Sequence, residues 1–207
     1  MPEKINIADL KVELFAEKTV KAYTKALADA DTVLGMGSAA AEAAASSAAL
    51  ALLAVNKTAS DDADMLAAAK DLETLRTYFL HLIDEENKAK LPLEKRLASN
   101  APAAEIEAGY RTACAIVDEV LFAVIKVLEV LDSIKDKLCP CTGSVAAGSV
   151  FFAKTAMNCV RLQLAMYSTK MNEEVYARTT RREPEIAIEQ NTALINGLLE
   201  KFEGMIK

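Results

Sequence analysis

The chain has 207 residues, 52% of them apolar and 26% charged, with 7 glycines and 5 prolines. That composition excludes collagen-like, linker-like and disordered polymers and predicts one globular domain over residues 1–207. Its 24 basic and 30 acidic side chains leave a net charge of −6, so no whole-molecule basic field exists to attract nucleic acid or an anionic membrane, and a small ligand is the expected partner.

Helical periodicity recurs between breakers and no strand pattern competes, which predicts an all-α fold. The first element covers roughly residues 7–29 and carries Leu10, Leu14, Val20, Tyr23 and Leu27; its irregular stripe allows a break near Lys18. After the loop Asp29 to Leu34 comes Gly35-Met36-Gly37-Ser38, then a run of alanines to about Asn56. Alanine is the strongest helix former, and Ser38 is the expected N-cap. A third helix is predicted from Asp61 to about Lys90, with the seam Met65, Ala68, Leu72, Leu75, Phe79 and Leu82.

Asn100, Pro102 and Glu105 announce a fourth helix. Its stripe is the most regular in the chain: Ile106, Tyr110, Ala113, Val117, Val120, Val124, Val127, Leu131, Ile134 and Leu138. Heptads of that length predict a helix of about 50 Å, stopped at Cys139-Pro140. A fifth helix is predicted from the Thr142-Gly143-Ser144 turn to about Met171. After a basic turn, Arg178 to Arg182, a sixth opens at Pro184 and ends near Ile206. Five or six helices, two of them long, make an antiparallel bundle. The small-residue stripe of the second helix suits a central position, and the apolar surplus of the long helices predicts a homodimer.

Glu42, Asp118, Glu119, Lys126, Glu129, Lys154 and Arg161 interrupt the apolar runs, so no membrane span is expected. Cys114, Cys139, Cys141 and Cys159 follow a charged amphipathic start rather than a basic and then apolar leader, which predicts a cytoplasmic protein with free thiols. One C-x-C with a single histidine does not make a zinc site, and no metal is expected.

Three features carry possible chemistry. The Gly35 to Ser38 loop opens a helix, where backbone N–H groups and partial positive charge can cradle an anion or a carbonyl; it also reads as a tight helix-opening turn. His81 and Asp84 share one face near the end of the third helix, where a half-buried carboxylate suits general acid–base work and a solvated acidic helix end is the plainer reading. Arg161 interrupts an apolar helix and needs a carboxylate, a carbonyl or a ligand beside it.

The order and spacing of Gly35-Met36-Gly37-Ser38-Ala39-Ala40-Ala41, Leu82-Ile83-Asp84-Glu85, the Gly143 turn and Val160-Arg161 resembles the cyclodeaminase/cyclohydrolase family. That family includes formiminotetrahydrofolate cyclodeaminase and a bacterial methenyltetrahydrofolate cyclohydrolase. The resemblance implies an all-helical homodimer that binds a tetrahydrofolate derivative in a cleft near the subunit interface, with no cofactor beyond the folate. It implies substrate-binding roles for Gly35, Met36, Gly37, Ser38, Gly143 and Arg161, and a general acid/base role for Asp84 with His81 beside it. The implied reaction is hydrolysis of 5,10-methenyltetrahydrofolate or deaminating cyclisation of 5-formiminotetrahydrofolate. The chain departs from the family pattern at Thr32-Val33-Leu34, where prolines are usual, at Met36 in place of a glycine, at Lys90 in place of a tyrosine, and at Pro140-Cys141 in place of Ser-Asp. These departures keep open a diverged relative that binds folate or another small molecule, or serves as a helical scaffold, without turnover.

Overall fold

The computed structural model describes residues 13–206. Six α-helices lie among them: α1 (Val20–Leu27), α2 (Met36–Thr58), α3 (Ala63–Ala98), α4 (Ala103–Ile134), α5 (Gly143–Ser168) and α6 (Glu174–Gly204), with a 3₁₀ turn at Pro140–Thr142 before α5. No strand occurs among the described residues. Leu10 and the start of the predicted first helix lie outside them. Within the described part, residues 13–19 are not helical, and α1 starts at Val20 with the Thr19 hydroxyl accepting from Ala22 N.

The antiparallel arrangement is set by contacts between opposite helix ends. Lys137, just past α4, pairs with Asp62 and Asp64 at the start of α3. At the other end Gly109 of α4 faces Leu93 and Arg96 of α3. Asp62 is also the α3 N-cap, accepting from Asp64 N and Met65 N. The predicted stripe of α4 is the core: Ala113, Val117, Val124, Val127 and Leu131 have no solvent exposure.

α2 is central, packed against α3, α4 and α5. It is long and apolar enough by composition to cross a membrane, but Ala40, Ala44, Ala48 and Ala51 are wholly buried inside the bundle. Small side chains let α5 approach so closely that Ser47 Oγ donates to Ser149 O at 2.8 Å while Ser149 Oγ donates to Ser47 O at 2.8 Å. Each hydroxyl is thereby satisfied in a region without water-facing surface.

Several boundaries differ from expectation. α2 begins at Met36 with Gly35 as its N-cap and no side-chain cap, so Ser38 sits inside the first turn instead of capping it. α3 continues through Pro92 to Ala98, and α6 begins at Glu174, ten residues before the proline expected to open it. Arg178 to Arg182 are therefore helical rather than a turn. A proline inside a helix removes one backbone hydrogen bond; Pro92 and Pro184 are both buried, and packing holds the helix across each. α4 ends at Ile134, short of Leu138. Five helices run 23 residues or more, where two long ones were expected.

Candidate functional site

The N-terminus of α2 meets the middle of α3 at Glu86. This carboxyl group is 1% exposed. Ser38 Oγ donates to its Oε2 at 2.7 Å, and its Oε1 is buried without a partner. Burial pushes its pKa up; the nearby Lys90 charge and the Ser38 hydrogen bond oppose the shift without reversing it, and Glu94 adds to it. Burial of this kind favours the neutral, proton-carrying form of a carboxyl group.

The glycines make room for it. A Cβ on Gly37 would lie 2.9 Å from Cγ and Oε1 of Glu86, and one on Gly35 would lie 2.8 Å from Lys90 Nζ. Lys90 Nζ donates to Val33 O at 2.6 Å, fastening the loop before α2 onto α3. Because no side chain caps α2, the N–H groups of its first turn remain available beside Glu86.

Two buried phenols complete the surroundings. Tyr23 Oη and Tyr167 Oη are both buried without hydrogen-bond partners, and burial, followed by neighbouring carboxylates including Glu86, raises the pKa of each. Tyr167 also packs edge-to-face on Tyr110, with ring centroids 5.7 Å apart. Unpartnered polar atoms in a core are costly. The Glu86 charge contributes to the environment of both phenols.

The residues expected from sequence are only partly brought together. Gly35, Gly37 and Ser38 surround Glu86. Asp84 is buried on another face of α3, where Oδ1 accepts from Phe15 N at 2.6 Å and Ala16 N at 3.3 Å; the backbone of the N-terminal segment occupies that oxygen. His81 is exposed and lies 3.6 Å from Glu85 Oε1, not against Asp84. Met36 is 41% exposed and lines a surface groove with Phe151, Lys154 and Leu162. Arg161 is half-buried on α5 and makes no ion pair among the described residues.

Gly143 is at the other end of the bundle. It packs against the end of α6, where an added Cβ would lie 2.7 Å from Phe202 O. The neighbouring Cys139 N donates to Thr58 Oγ1 at the C-terminal end of α2, and the 23 residues of that helix separate this end from Gly35 by about 34 Å. Within one chain Gly143 is a packing glycine and does not join the Glu86 cluster.

Glu86 and Tyr167 were not singled out from sequence, Tyr23 entered only through the stripe of the first helix, and Lys90 only as a departure from the family pattern. For Glu86 a signal exists: the seam Met65, Ala68, Leu72, Leu75, Phe79, Leu82 alternates steps of 3 and 4, and the next step of 4 lands on Glu86. A carboxylate in a core register is the feature that separates it from Asp84 and Glu85.

The sequence profile of the formiminotransferase-cyclodeaminase family matches residues 19–185. Among solved structures, formiminotetrahydrofolate cyclodeaminase from Thermotoga maritima superposes with a TM-score of 0.77 at 15% identity, covering 91% of this chain and 96% of that one. At that identity the likeness is one of fold. No curated protein sequence matches the chain.

Proposed function

The chain belongs to the formiminotransferase-cyclodeaminase family, and on that basis we propose that it is a folate one-carbon enzyme that closes the N5–N10 bridge of 5-formiminotetrahydrofolate with loss of ammonia, using Glu86 as general acid. The observation that carries this reading is the buried Glu86 carboxyl, hydrogen-bonded by Ser38 on one oxygen and unpartnered on the other.

In this reaction N10 attacks the formimino carbon, its proton passes to the terminal nitrogen, and a tetrahedral centre forms; the bond from that carbon to the terminal nitrogen then breaks, and ammonia departs with one further proton it must acquire. Burial, which favours the protonated form of Glu86, suits it to supply that proton, and the resulting carboxylate stands beside the cationic methenyl product. Ser38 orients the acid, and the uncapped N–H groups of α2 offer donors to the substrate. Asp84 takes a positioning role, anchoring the Phe15–Ala16 segment that borders the site. Hydrolysis of the methenyl bridge, in which water adds to the same carbon and a proton is removed from it, is the alternative reaction at this centre.

The protein acts as a homodimer in this proposal. Phe151, Phe152, Leu162 and Met166 of α5 are each 41–49% exposed, and a self-complementary apolar face is best covered by a second copy. Met36 lies at the edge of that face, one residue from Gly35, so the second copy closes toward the α2 N-terminus. A non-catalytic binder is the second reading, favoured by Lys90, whose ammonium fills the space beside Gly35.

The test is formation of 5,10-methenyltetrahydrofolate, followed by its absorbance, with ammonia release measured in parallel. Stoichiometric formation of both supports the cyclodeaminase reading. Saturable folate binding without turnover supports the binder, and absence of both removes folate from the account.

A further inference from the structure

Cys139 and Cys141 flank Pro140 in the turn that joins α4 to α5, at the Gly143 end of the bundle. The backbone of Cys139 is fixed at both polar groups: its N–H donates to Thr58 Oγ1 at 3.0 Å, and its carbonyl accepts from Thr142 N at 2.8 Å and Thr142 Oγ1 at 2.7 Å. Proline holds φ at about −65°, and the 3₁₀ conformation at Pro140 brings the Cα atoms on either side of it to about 5 Å, inside the span that a disulfide bridges. The Cys139 sulfur is turned toward Cys141 and accepts from its backbone N–H at 3.4 Å.

The other two cysteines stand apart. Cys114 is buried in α4 and Cys159 half-buried in α5, each several helical turns from the Cys139–Cys141 turn and far beyond the ~7 Å over which two Cα atoms can be bridged. Burial pushes the Cys114 thiol up to about 12 and raises that of Cys159, which leaves both poor in thiolate. Cys139 is shifted the other way: hydrogen bonding from the Cys141 thiol, and then from the Cys141 N–H, holds it below the ordinary thiol value, while the same thiol contact raises Cys141. Cys139 is half-buried and Cys141 exposed, so a reagent in solution reaches the pair.

We propose that Cys139 and Cys141 form a dithiol site for thiol–disulfide exchange, whose co-substrate is a small disulfide of the glutathione class. The Cys139 thiolate attacks one sulfur of that disulfide; a mixed disulfide forms on Cys139, and the other half leaves as a thiolate that takes up a proton. Cys141 then gives its proton to solvent and attacks Cys139 Sγ, the Cys139–Cys141 bond forms, and the second half leaves and is protonated in turn. The chain loses two hydrogens, and one small disulfide becomes two thiols. The length of α2 separates this site from Glu86, so the exchange is independent of the folate reading.

The test exposes the folded, full-length protein to oxidised glutathione, quenches by alkylation and digests with trypsin. Cleavage after Arg111, Lys126, Lys137, Lys154 and Arg161 leaves Cys139 with Cys141 on one peptide and Cys114 and Cys159 on two others. The peptide of residues 138–154 is expected to become two hydrogens lighter and closed to alkylation at least tenfold faster than Cys114 or Cys159 is blocked. Cys141→Ser, at an exposed position, is expected to accumulate a glutathione adduct on Cys139 that wild type resolves. Cys139 and Cys141 that remain alkylatable, or that carry separate glutathione adducts without joining, overturn the proposal. An adduct in Cys141→Ser that sits on Cys159 in place of Cys139 overturns it as well.

Discussion

Ser38 and Glu86, 48 residues apart in sequence, share a buried hydrogen bond of 2.7 Å that ties the first turn of α2 to α3. The bond favours the ionised form of Glu86 against the larger effect of burial. Removing it in Ser38→Ala raises the Glu86 pKa further, because the hydrogen bond that favours the carboxylate is lost. The basic limb of the kcat–pH profile therefore moves to higher pH, while KM changes little. An unmoved limb contradicts the pairing.

Glu86 also couples stability to pH. Its folded pKa is raised, so its contribution to stability is fully present below the unfolded value near 4.3 and is lost as pH rises through the folded pKa. Asp118 behaves in the same sense: burial, reinforced by Glu183, pushes it up to about 7. Glu86→Gln and Asp118→Asn are each expected to gain Tm over wild type as the pH is raised, the Asp118→Asn gain accumulating between about pH 4 and 7 and levelling off above about 7. Thermal melts between pH 5 and 8.5 measure this, and parallel curves for variant and wild type contradict it.

Much of the fold was legible before any coordinates. The α4 stripe from Tyr110 to Ile134 and the α3 seam from Met65 to Leu82, with Leu75 half-buried, face the core as their periods require, because long amphipathic helices leave little ambiguity in register. The alanine run of α2 announced a central helix. Pro92 and Pro184 misled the boundaries, since a local rule against interior proline ignores the packing that holds α3 and α6 continuous. At the site, the glycines and Ser38 were legible from their loop. Glu86 was hidden in the acidic run Asp84-Glu85-Glu86, and only the register of the seam separates the buried carboxyl from its neighbours. Tyr23 and Tyr167 come from helices far apart in sequence, and no local spacing joins them.

Gly143 separates a packing role from a substrate role. An added Cβ would meet Phe202 O at 2.7 Å and Met205 Cβ at 2.8 Å, and backbone cannot give way as a side-chain tip can. Gly143→Ala should cost about 1–3 kcal/mol, the usual range for overpacking, with kcat and KM of the folded fraction unchanged. A raised KM without loss of stability contradicts the assignment.

The reciprocal Ser47–Ser149 pair sets the spacing of α2 and α5. Ser149→Ala loses one hydrogen bond and leaves Ser47 Oγ its carbonyl acceptor, a cost of about 1 kcal/mol. Ser149→Val adds bulk where the helices touch and should cost more, about 2–3 kcal/mol. Urea denaturation ranks the two; equal costs argue against close approach at this point.

Glu86 and Asp84 are the two buried carboxyl groups of α3, and one of them serves the reaction. Glu86→Gln, Asp84→Asn and His81→Ala should be compared in single-turnover conversion of 5-formiminotetrahydrofolate, each checked for retained helicity. General acid catalysis contributes about 10²–10⁴-fold, so Glu86→Gln is expected to lose at least 100-fold. Asp84→Asn, which keeps an oxygen facing Phe15 N, should lose less than tenfold, and the exposed His81 should be replaceable within twofold. A Glu86→Gln protein that turns over at the wild-type rate while Asp84→Asn is inactive would contradict the assignment and return the acid to Asp84.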